Sequence, residues 1–88
     1  MEKSISIAMA IANQLHHEGR WPPNNLNSIM GSDYHYGSDT LWLFLTAVSW
    51  NLKNSNPSYD FQFDRIFVEK ALALSVGELI GFVNENTK

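Results

Sequence analysis

The chain has no cysteine. Disulfides, thiolate metal sites and thiol nucleophiles are therefore excluded, and the absence fits a reducing compartment, so a cytoplasmic protein is expected. Positive charge is scarce: six Lys and Arg stand against nine Asp and Glu, for a net charge of −3. The six basic residues are scattered, so a phosphate backbone has nothing to bind and no nucleic-acid partner is expected. No run approaches the roughly 18 apolar residues of a membrane span, and no membrane partner is expected either. Residues 5–12 look at first like the apolar core of a secretory signal. The stretch is short, interrupted by Ser6 and preceded by Glu2 as well as Lys3, so it reads as a helix.

What the chain does contain is apolar residues, 44% of 88, with 17% charged. That is a globular composition, and residues 1–88 read as a single domain because two cores could not each bury enough surface.

Residues 37–52 organise the rest. Asp39 or Ser38 is the expected N-cap of a helix, since either oxygen can accept from a free amide of the first turn. Leu41, Phe44, Leu45, Val48 and Leu52 then fall on one face at helical spacing. Leu43, Ala47 and Trp50 run down the opposite side at i, i+4, i+7, and no charged residue lies between Asp39 and Lys53. A surface helix normally keeps one face polar. Either another part of the chain covers this second stripe, or it meets a partner.

A first helix is expected over residues 4–18, with Ile5, Ala8, Met9, Ala12 and Leu15 on one face. Gly19 ends it, Pro22-Pro23 bars its resumption, and His16 and His17 sit on its surface. Residues 20–38 form a long connection in which Leu26, Ile29 and Met30 anchor the loop. After the break at 54–58, a short third helix begins near Asp60 or Asp64; a lone strand there would have no partner for its backbone. Ser75-Val76-Gly77-Glu78 is a capping box, followed by Val76, Leu79, Ile80 and Val83 as the buried face of a last helix. Gly77 and Gly81 suggest close packing of another helix, and residues 84–88 read as a frayed end.

This order resembles an acyl carrier protein. Gly37-Ser38-Asp39-Thr40-Leu41 is similar to the Gly-x-Asp-Ser-Leu that opens the second helix of that family, and Ser75-Val76-Gly77-Glu78-Leu79 to the Thr-Val-x-Asp-Leu that opens its last helix. Tyr34-His35-Tyr36-Gly37 and the stretch from Tyr59 to Phe67 look closer still to a group of small bacterial proteins related to acyl carriers. The resemblance implies an all-α four-helix bundle with acyl-carrier-like topology, a long loop between helices 1 and 2, and action through a protein partner, not through catalysis. In the family the serine carries phosphopantetheine, its phosphate placed at the positive end of the helix dipole. The matching residue here is Thr40, with Ser38 a substitute only if the loop shifts register. Threonine's hydroxyl is secondary and its β-branch is stiff. Capping is the preferred role for Ser38, Asp39 and Thr40, and no cofactor is expected. The family's acidic partner-binding face is replaced by Leu43, Ala47 and Trp50, which suits an apolar contact or a homodimer.

The expected partner-binding residues are thus Tyr34, His35, Tyr36, Asp39, Leu43, Ala47 and Trp50. Asp33, His35 and Asp39 could converge on a metal, but nothing else supplies a coordination set, so neither a metal nor enzyme activity is expected. Asp33, Asp39, Asp60 and Asp64 read as caps and solvated charges; gathered in space, they would make an acidic patch. That leaves an alternative open: an immunity protein or antitoxin that neutralises a bacterial toxin by direct binding.

Overall fold

A computed structural model describes residues 2–20 and 26–88; the Pro22-Pro23 breaker lies outside them. Among these residues there are four helices: α1 (Lys3–His17), α2 (Ser38–Ser55), α3 (Arg65–Ala71) and α4 (Val76–Glu85). They contain no β-strand, only two isolated β-bridges.

Helix α2 lies between α1 and α3, and α1 also packs on α4. The circuit closes where Phe67 of α3 stacks on Phe82 of α4, with ring centroids 4.1 Å apart and planes 2° from parallel. Leu41, Phe44, Leu45, Val48 and Leu52 are all buried at the centre, as their spacing predicts.

The buried face of α1 differs from the expected one. Ile7, Ala10, Ile11 and Leu15 point inward, while Ile5 and Met9 are about half exposed, at 48% and 49%. Apolar residues fall almost all round this helix. The face carrying two isoleucines and a leucine fills more of the core than one relying on alanines, and packing volume decides between them. At the helix end Gly19 adopts φ +71°, its amide bonded to the His16 carbonyl and the Arg20 amide to that of Leu15. This is the double-bonded stop that glycine permits.

The described part of the α1–α2 connection is pinned to the α3–α4 turn. Amides of Met30 and Gly31 donate to the carbonyls of Leu74 and Leu72, and those of Val76 and Gly77 to Ser28 and Leu26. Met30 is fully buried, as expected of an anchor, but Leu26 is 56% exposed and contributes its backbone instead. Gly31 is the residue the approach requires: a Cβ there would lie 2.7 Å from the Leu72 carbonyl oxygen. Gly77 comes close to this same loop and Gly81 has open space, so neither glycine seats another helix.

Two other expectations are corrected. The segment before α3 does find a backbone partner, because the end of the chain returns to pair with it: Gln62 donates to the Asn86 carbonyl at 3.2 Å, and Phe61 bridges Thr87. Residues 86–88 are therefore not frayed, and Thr87 is buried with its hydroxyl donating to Val83 at 2.7 Å. The third helix begins after Asp64, which caps it by accepting from the Phe67 amide at 2.9 Å. The box at α4 stands as read, with Ser75 accepting from the Glu78 amide and Glu78 from that of Ser75.

Candidate functional site

The outward face of α2 begins with its cap. The N-cap is Gly37, in extended conformation, not Asp39 or Ser38. Glycine has no side chain to give, so Thr40 serves from three residues on. Its Oγ1 accepts from the Gly37 amide at 2.8 Å and donates back to the Gly37 carbonyl at 3.2 Å. Asp39 thus falls in the first turn, exposed, where a negative charge suits the dipole. The hydroxyl of Ser38 donates to the Glu69 carboxylate on α3.

Both hydroxyls are hydrogen-bonded, that of Thr40 to the Gly37 backbone and that of Ser38 to the Glu69 carboxylate, which sets a negative charge beside Ser38.

Tyr34 and Tyr36, expected at a partner-binding surface, are instead buried within the core, Tyr36 packed on Phe44 with centroids 5.3 Å apart. The Arg20 guanidinium lies 4.3 Å from the Tyr36 ring centre and also bonds the Tyr34 carbonyl. The Tyr36 hydroxyl donates to Glu18 at 2.8 Å. Burial first, and that bond second, push its pKa well above the usual tyrosine value. Aromatic side chains in a small domain supply more core volume per residue than the loop can otherwise offer, which is why these two turn inward. His35 between them is exposed and holds the left-handed φ of +61°. Its backbone makes the turn that sends both tyrosines inward.

What remains outside is Leu43 and Trp50, 67% and 68% exposed, with Ala47 half-buried between them. A shallow depression lined by Ser49, Trp50, Lys53 and Asn54 runs beside the indole. On the α3 side this face is bordered by Trp42, packed edge-on against Phe63 at 4.8 Å with Arg65 on its ring at 5.8 Å. The Trp42 border was not anticipated, although its position one residue before Leu43 places it on the flank of the same stripe. Ile66, 66% exposed on α3, was also missed.

Comparison with protein-family models, with curated proteins and with solved structures returns no match.

No three His, Asp or Glu side chains come together as a possible metal site among the described residues. Nor is any helix among them long and apolar enough to cross a membrane. Three of the four aspartates weighed as an acidic patch serve local bonds: Asp33 accepts from the Ile29 amide at 2.6 Å, Asp60 from the Gln62 side chain at 2.7 Å, and Asp64 caps α3.

Proposed function

We propose that this chain is a small acyl-carrier-like helical protein, without catalytic chemistry of its own, that acts by docking a protein on the outward face of α2. One observation carries the reading: two large apolar side chains, Leu43 and Trp50, stand two-thirds exposed on one face of the central helix. Leaving that much apolar surface in water is unfavourable, by roughly 25 cal/mol per Å², and a partner would remove it. The four-helix arrangement supports this reading, and the acyl-carrier topology is part of the proposal. The arm of such a carrier is not part of the proposal, because Thr40 and Ser38 are occupied otherwise.

The test places a photo-crosslinking residue at position 50 and irradiates cells expressing the chain. Discrete adducts that vanish in a Leu43→Gln background are expected, with none from the same probe at Lys88. Absence of any adduct at position 50 overturns the reading.

A further inference from the structure

The exposed face of α2 is complementary to itself when reversed. Asp39 and Lys53, both exposed, close its two ends, fourteen residues and about 21 Å apart along the helix axis. Between them stand Leu43, Thr46, Ala47 and Trp50 and no charge. Turning the face head to tail about a point between Thr46 and Ala47 sets Leu43 against Trp50 of a second copy, and Trp50 against its Leu43. The same operation brings Asp39 within one residue of the second copy's Lys53, at both ends. The smallest side chain of the face, Ala47, then falls at the crossing, where two helices must approach most closely. A parallel pairing does the opposite, placing Asp39 on Asp39 and Lys53 on Lys53.

We infer that the occupant of this face is a second copy of the chain, bound through an antiparallel, two-fold α2–α2 contact. The inference rests on the docking reading above and goes further by naming the partner. The contact is isologous: each copy offers the same patch, and every pair occurs twice. Four side chains on one helix face fall short of the about 800 Å² per partner of a standard interface, so association is weak. Charge at the rim then fixes orientation more than it adds affinity.

Three measurements on the full chain test it. Sedimentation equilibrium should show a monomer–dimer exchange, abolished by Leu43→Gln or Trp50→Gln. Asp39→Lys and Lys53→Asp should each weaken the dimer about threefold to tenfold, since each creates two like-charge pairs, and the double substitution should return Kd to within about twofold of the wild type. Because the chain has no cysteine, Ala47→Cys reports the crossing directly. Mild oxidation should link it to itself, whereas Asn54→Cys, exposed on the same face but about 22 Å from its own mate in this register, should stay monomeric. Linkage at both positions or at neither, failure of the double charge swap to restore Kd, or a strict monomer at about 1 mM overturns the inference. If in that case the position-50 probe still yields an adduct of some mass other than twice the chain's, the docking reading stands and only the choice of partner has failed.

Discussion

The backbone amide of Asp60 donates to the carbonyl of Lys88, and the amide of Lys88 returns the bond to Asp60, both at 3.0 Å. This reciprocal pair holds the end of the chain against the segment that leads into α3. It fixes Phe61, which stacks on Phe63 at 5.1 Å and meets Phe67 edge-on at 5.5 Å. Through Phe63 the aromatic cluster reaches Trp42 on the flank of the exposed α2 face. The last residues therefore support the candidate site from a distance.

Removing residues 86–88 should destabilise the fold by about 2–4 kcal/mol. Three backbone bonds to Asp60 and Gln62 are lost, together with the bond from the Lys3 ammonium to the Thr87 carbonyl. A typical intramolecular hydrogen bond contributes about 1 kcal/mol net. Urea unfolding of the full and shortened chains checks this, and an unchanged midpoint would show that the pairing contributes nothing to stability.

Two glycines should respond to alanine in opposite directions. At Gly31 the new methyl meets a backbone carbonyl oxygen at 2.7 Å, and no rotamer change can relieve it. Gly31→Ala should cost about 1–3 kcal/mol. Gly81 lies inside α4, exposed, with nothing within 4 Å of an added Cβ. Gly81→Ala should stabilise by about 0.5–1 kcal/mol, by reducing the freedom of the unfolded chain. Thermal melts of the two variants decide both signs.

How much of this was legible beforehand follows from distance along the chain. The inward face of α2 and the Ser75–Glu78 box are patterns within a few residues, and periodicity or capping chemistry identifies them. The pairing of Phe61 with Thr87 joins two very short segments far apart in sequence, and neither one alone signals the other. On α1 two apolar stripes overlap, so spacing could not choose between Ile5 with Met9 and Ile7 with Ile11. At the candidate site helical geometry places Leu43, Ala47 and Trp50 together opposite the core stripe, but spacing within one helix says nothing of whether another part of the chain covers them. Tyr34 and Tyr36 could not be placed, because an aromatic residue in a loop looks the same whether it anchors the loop or decorates it.

Stability should fall at alkaline pH through Tyr36. Burial holds its hydroxyl protonated well above the ordinary pKa, which in an unfolded chain is about 10. A raised folded-state pKa means the contribution is fully present below about pH 10 and is lost as pH climbs beyond it, because only the unfolded chain sheds the proton. Tyr36→Phe should be less stable than the wild type at about pH 8, through loss of the Glu18 bond, by about 0.5–1.5 kcal/mol. The gap between the two should narrow above about pH 10. Urea midpoints across that range measure it; a gap that stays constant sinks the argument.

Thr40 should behave as a cap and not as an attachment site. Incubation with a phosphopantetheinyl transferase and coenzyme A should leave the intact mass of the chain unchanged. Thr40→Ala should lower stability by about 0.5–1 kcal/mol, because the Gly37 amide loses its acceptor. An added arm on the wild type, absent from Thr40→Ala, would restore the carrier chemistry that the engaged hydroxyl argues against.

The sharpest contrast lies between neighbours on α2. Leu45 is fully buried and Leu43, two residues before it, is 67% exposed. Leu45→Ala should cost about 2–5 kcal/mol, from lost burial and the cavity left behind. Leu43→Gln exchanges one good helix former for another where the side chain already faces water, so its cost should stay within about 0.5 kcal/mol. Trp50→Gln should behave likewise. Measured at low micromolar chain, where a weak dimer is dissociated, these values isolate the fold from any association. A large loss from Leu43→Gln would mean that the stripe belongs to the core after all, and the docking surface would fall with it. A small loss, combined with loss of crosslinking at position 50, separates what Leu43 does for the fold from what it does for a partner.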